Sequence, residues 1–151
     1  ENIRLFAGIY GIPEPEIAPR TDELLLRLGL EKERDTLVKN LPLGWKQKLA
    51  FSVSIFHHPK IVFLDEPTGG VDPATRRQFW ELIYQTAQSG ITVFVTTHYM
   101  DEAEYCHRIS MMVDGKIVAL DTPDVLKKTY GAANLDDVFQ QLARKSVRKA
   151  D

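Results

Sequence analysis

The stretch Ile61-Val-Phe-Leu-Asp65-Glu66-Pro-Thr constrains this chain more than any other. A short apolar run of branched and aromatic side chains reads as a strand buried on both faces. It ends in two adjacent carboxylates, which places negative charge at the carboxyl edge of a sheet, where open α/β folds bind ligands. Adjacent strand residues point to opposite sides, so the two acids need not share a task. One suits a hydrated magnesium ion, the other an attacking water. The plainer alternative is a core strand meeting a solvated acidic turn.

Strand and helix patterns alternate around this stretch. Asn2 to Tyr10 carries Ile3, Leu5, Phe6, Ile9 and Tyr10 at helical spacing, and Gly11-Ile-Pro13-Glu-Pro15 ends it. Thr21 is expected to cap a second helix, with Asp22 and Glu23 in its first turn and Gly29 at its end. Lys46 to His57 reads as a third helix. After the strand, Thr75 to Ser89 reads as a long helix closed by Gly90, followed by a β-branched strand, Ile91 to Thr96. Met100 to Cys106 is expected to be a short helix. Asp114-Gly115 between two apolar runs marks a tight hairpin, and Thr122-Pro123 opens another helix. Leu135 to Arg144 is a final amphipathic helix, followed by a basic tail to Lys149 expected to fray. Strand–helix–strand order implies a parallel sheet.

Composition narrows the class. A chain of 151 residues, 44% hydrophobic and 26% charged, is long enough for one domain with a real core. A net charge of −2 lacks the basic surplus of a dedicated nucleic-acid binder. No apolar run approaches the ~18 residues of a membrane span. A single cysteine, Cys106, excludes an internal disulfide.

Three further segments flank the acidic strand: Leu41-Pro-Leu-Gly44-Trp-Lys-Gln upstream, then Gly70-Val-Asp72-Pro and Val95-Thr-Thr-His98 downstream. With these in order, the chain resembles the nucleotide-binding domain of ABC transporters, of the ABC-2 exporter type, from its first helix to about Pro123. Leu41 to Trp45 stands where that family has its signature loop, Ile61 to Glu66 looks like Walker B, Gly70 to Pro73 like the D-loop, and His98 like the switch histidine. The resemblance implies an α/β P-loop NTPase (ABC ATPase) fragment. Residues 1–58 would form the helical subdomain, and residues 59–151 the later strands of the parallel-sheet core with their flanking helices.

By the same resemblance, Asp65 would hold Mg²⁺, Glu66 would be the general base, and His98 would donate to the γ-phosphate of ATP. Leu41, Pro42, Leu43, Gly44, Trp45 and Asp72 would contact nucleotide or its site across a head-to-tail dimer. The implied partners are a second nucleotide-binding domain and a transmembrane permease at the cytoplasmic face of a membrane, with no nucleic acid and no disulfide partner. Two departures qualify this. The family's usual Leu-Ser-Gly-Gly-Gln reads Leu-Pro-Leu-Gly-Trp here, so the serine hydroxyl is missing and the amides opening the next helix remain. No G-x-x-x-x-G-K-[ST] occurs among the nine glycines. The resemblance therefore implies a piece that starts after the phosphate loop, the adenine-stacking aromatic and the Q-loop, and that is inactive alone. The alternatives are a soluble ABC-type ATPase acting on ribosomes or DNA, and a non-catalytic, degenerate cassette. Apart from the resemblance, Asp72 before Pro73 also reads as a simple helix N-cap. Phe6, Ile9 and Tyr10 read as helix packing or as part of a groove for a permease helix.

Overall fold

A computed structural model describes residues 1–147; the end of the basic tail, from residue 148, lies outside the described residues. The chain forms two compact units, Glu1–Thr96 and Thr97 onward. The first unit holds α1 (Asn2–Ile9), α2 (Glu14–Leu28), a single 3₁₀ turn (Val38–Asn40), α3 (Leu43–Ser54), β1 (Ile61–Asp65), α4 (Pro73–Gln88) and β2 (Thr92–Thr96). The second holds α5 (Met100–Ala103), β3 (Ile109–Val113), β4 (Lys116–Asp121), α6 (Pro123–Tyr130) and α7 (Leu135–Val147).

In the first unit, α1, α2 and α3 enclose a core of Ile3, Ala7, Ile17, Leu25, Leu49 and Val53. The second helix differs from the sequence expectation. It starts at Glu14, seven residues before Thr21, because Pro15 falls in the first turn, where a missing N–H costs nothing. Pro19 is carried inside the helix. Thr21 is not a cap: its hydroxyl donates to the carbonyl of Ile17 at 2.7 Å.

The α/β layer follows. β1 and β2 pair in parallel, with Phe63 opposite Phe94 and Asp65 opposite Thr96, and α4 makes the crossover between them. Phe79 of α4 is 2% exposed and lies 5.4 Å from the ring of Phe51 on α3, which fastens the helical layer to the crossover. The expectation that β1 is buried on both faces is corrected. Val62 is buried, but Ile61 and Phe63 are exposed, Phe63 by 69%, and the Phe94 ring lies tilted beside it with centroids 5.6 Å apart. Side chains alternate along a strand. One face of this two-stranded sheet packs inward, and the apolar residues between lie on the other.

In the second unit, β3 and β4 form the antiparallel hairpin expected from Asp114-Gly115, with both turn residues at positive φ, 49° and 73°. Thr122 caps α6 through the amide of Val125. Leu126, Leu135, Val138, Leu142 and Met111 make this unit's core. The short helix α5 ends at Ala103, and Cys106 beyond it is half-buried. Burial, with Glu102 nearby, pushes the Cys106 thiol up.

Deleting the Phe79 ring should cost about 3–5 kcal/mol. Phe63→Ala should cost no more than about 1 kcal/mol, as for a surface change. Urea unfolding of the two variants checks this ranking, and equal losses would contradict the exposed face of β1.

Candidate functional site

Parallel pairing brings the carboxyl ends of β1 and β2 side by side, and that edge carries the acidic pair. Asp65 closes β1, and its Oδ1 accepts the hydroxyl proton of Thr96, its register partner. The next residue leaves the strand. The N–H of Glu66 points back at both the carbonyl and the hydroxyl of Thr96, each at 3.1 Å. This bifurcated anchor holds Glu66 at φ 44°, in the left-handed region. A non-glycine residue held there costs roughly 1–3 kcal/mol, and such residues cluster at functional sites. Both carboxylates are exposed.

The segment after Glu66 makes a turn, with the Gly69 N–H on the Glu66 carbonyl at 3.0 Å, and then delivers Asp72 to the start of α4. Asp72 is the N-cap that the sequence allowed. Its Oδ1 accepts from the amides of Ala74 and Thr75, both at 3.0 Å, and its Oδ2 from the Thr75 hydroxyl at 2.6 Å. These bonds, the Thr75 hydroxyl first, hold the Asp72 carboxyl below the usual carboxylate range.

The Leu41–Trp45 loop meets this same place. Its geometry differs from the expectation of a helix starting at Lys46: α3 starts at Leu43, so Gly44 and Trp45 form its first turn. Pro42 explains the start. It forces Leu41 into an extended conformation and occupies the N-cap position itself, after which nothing opposes a helix. Pro42 has no side chain able to cap, so the opening amides of α3 keep the anion-favouring character of a helix N-terminus.

Gly44 is required by contact: a Cβ there would lie 2.3 Å from Cγ2 of Thr75. Gln47, one turn on, donates to the Gly69 carbonyl at 3.1 Å, and Lys48 lies 5.4 Å from the centroid of Trp45. The structure thus brings together the signature-like and D-loop-like segments, some 30 residues apart in sequence, as two helix N-termini in contact. Sequence reading missed Thr96, Gln47 and Thr75, which make the joints. Each is a polar residue whose partner is set by register or by helix packing, and neither is written locally.

His98 belongs to the second unit, two residues past the end of β2. It is exposed, and its ring lies 4.1 Å from that of Tyr99. No cluster of three or more His, Cys, Asp or Glu able to hold a metal occurs among the described residues. A cation at Asp65 would thus take most of its ligands from water and phosphate, a pattern that suits Mg²⁺.

Gly44→Ala should destabilise the chain by about 1–3 kcal/mol through overpacking. Adding Thr75→Ser, which deletes Cγ2 but keeps the hydroxyl on Asp72, should recover most of the loss in chemical denaturation. For Asp72→Ala, the sign of the pH dependence follows from the lowered folded value. The cap stabilises above the ordinary carboxylate range and is lost as pH falls through the folded value. Wild type should be the more stable at neutral pH, and the two proteins should converge in acid; a gap that widens on acidification would contradict the cap.

Residues 8–100, more than half of the chain, match the family model described as "AAA domain, putative AbiEii toxin, Type IV TA system". The probable multidrug ABC transporter ATP-binding protein YbhF of Escherichia coli is 47% identical over 127 residues, 84% of this chain and 22% of its own length. A fluoroquinolones export ATP-binding protein of Mycobacterium tuberculosis is 40% identical over 128 residues, 84% of this chain and 41% of its own. The chain thus spans well under half of these relatives. Among solved structures, an ATP-binding subunit of an ABC transporter superposes with a TM-score of 0.79 at 28% identity, covering 93% of this chain and 60% of that one. With the acidic strand edge and the paired helix N-termini in this arrangement, the chain belongs to the AAA-domain family of P-loop NTPases and, within it, to the ATP-binding domains of ABC transporters.

Proposed function

We propose that this chain supplies catalytic residues to the ATP-hydrolysing subunit of an ABC-type exporter. The observation that carries this reading is Glu66, held left-handed at the carboxyl edge of β1 by the hydroxyl and carbonyl of Thr96. An exposed carboxylate fixed beside a strand end can take a proton from a water attacking a phosphoryl group, a role worth roughly 10²–10⁴ in rate. Asp65, oriented by the Thr96 hydroxyl, would hold Mg²⁺ through water, and bound MgATP would supply the transferable phosphoryl group. His98 would donate a hydrogen bond to the γ-phosphate. The Leu41-Pro42-Leu43-Gly44-Trp45 segment would meet phosphate across a dimer interface through the opening amides of α3 rather than through a serine hydroxyl. Asp72, already engaged in capping α4, would act across that interface through the backbone it fixes.

The names of the two relatives, a multidrug transporter and a fluoroquinolones export protein, support transport out of the cell. No helix among the described residues is long and apolar enough to cross a membrane. The reading assigns passage to a transmembrane permease, with the ATPase docked on its cytoplasmic face as a head-to-tail pair. Without a phosphate loop in its sequence, the 151-residue chain should neither bind nor hydrolyse MgATP by itself.

The test uses a protein that carries this chain together with a phosphate loop. Glu66→Gln should lower turnover by at least about 10²-fold while ATP-driven dimerisation persists. Wild-type turnover in that variant would remove Glu66 as the base. Failure of a membrane permease to co-purify would favour a soluble ABC-type ATPase instead.

A further inference from the structure

We propose that Glu102 is a positioning residue for His98, acting through the Thr97 hydroxyl; this rests on the reading of His98 as a phosphate-contacting group. Glu102 is fully buried, at 0% exposure, in the one-turn helix α5, and sequence patterning gave no reason to single it out. A buried carboxyl must be held by hydrogen bonds. Its Oε2 accepts from Thr97 Oγ1 at 2.8 Å, and the same hydroxyl oxygen accepts from the amide N–H of Tyr99 at 3.1 Å.

A threonine hydroxyl has one proton. With the Tyr99 amide aimed at its oxygen, that proton goes to Glu102. The two bonds clamp the residues on either side of His98. Thr97 is tied to the carboxylate, and Tyr99 is tied to Thr97 and to α5, where its carbonyl accepts the amides of Glu102 and Ala103 at 3.1 and 3.3 Å. Between them His98 is exposed, with its ring against that of Tyr99. The imidazole is thus presented from a backbone fixed at both neighbours, while its own side chain stays accessible. A ligand-contacting group held within a narrow geometry needs this kind of support.

Two measurements test the clamp. In this chain, amide hydrogen exchange of Tyr99 followed by NMR reads the turn directly. In the protein that carries it with a phosphate loop, steady-state kinetics read the consequence. Thr97→Val keeps the shape of the side chain but cannot bridge, whereas Thr97→Ser keeps the hydroxyl; Glu102→Leu removes the acceptor. Thr97→Val and Glu102→Leu should each lose at least about tenfold in Tyr99 protection and about tenfold in kcat, with KM for ATP changed by less than about twofold, and Thr97→Ser should retain both. The Thr97→Val, Glu102→Leu double variant should fall no further than Thr97→Val, which already removes the hydroxyl through which Glu102 acts. If Glu102→Leu does not fold, the near-isosteric Thr97→Val decides.

Unchanged Tyr99 protection in folded Thr97→Val overturns the clamp. Lost protection with full kcat, while His98→Ala abolishes turnover, overturns the positioning role and leaves the proposed function standing. Wild-type turnover in His98→Ala overturns the phosphate-contacting reading of His98, and this inference with it.

Discussion

Thr96 is the residue on which the candidate site depends. Its hydroxyl donates to Asp65, and its hydroxyl and carbonyl together receive the Glu66 amide. Two acids that differ in their place relative to the strand are therefore set from one neighbour. The backbone separates them: Asp65 ends β1, and Glu66 turns left-handed out of it. The anchor exists only because β1 and β2 run parallel in a register that puts Asp65 opposite Thr96. A slip of one residue would place Val95 or Thr97 there and would send every side chain of β2 to the other face. Register, α4 crossover and the Phe79–Phe51 contact beneath it are thus part of the site, although none of them carries chemistry.

A second joint sits where α3 and α4 begin. Helix N-termini repel one another, since each carries a partial positive charge. Here Asp72 caps α4 with a charged carboxylate, while α3 starts with an uncapped proline turn. Close approach at Gly44 lets the Thr75 side chain, itself bound to Asp72, lie against the first turn of α3. The segment from Glu66 to Asp72 is then held at both ends and, through Gln47 on Gly69, in the middle. The acidic strand edge and the altered signature-like loop are mechanically one structure.

What was legible in the sequence was local. Asp114-Gly115 specified the hairpin, Asp72-Pro73 the cap, and the alternation of apolar run and helix the parallel β1–α4–β2 unit. What was not legible depended on partners distant in sequence. Nothing near Ile61–Leu64 states whether one or both faces are covered, since a two-sided core strand and a one-sided strand with large apolar residues on its open face read alike. Pro15 read as part of the break after the first helix because its tolerance in the second depends on where that helix starts. Leu43 looked like loop because a resemblance to a loop motif outweighed a simple steric fact, that a helix can begin directly after a proline. Glu102 carries no local sign of its burial.

The three acids read as functional share one further property. Asp65, Glu66 and Asp72 are all exposed, and so is Thr96, which holds the first two. A unit charge acting over ~4 Å is worth about 1 kcal/mol in water and about 4 kcal/mol at the effective dielectric of a protein surface site. Exposed on this chain, the acids stand near the weak limit. Covering them with a second surface that brings phosphate would raise each interaction several-fold without moving a residue. Acids held by hydrogen bonds yet facing solvent are suited to such covering. In the proposed head-to-tail pair, the partner would supply such a surface.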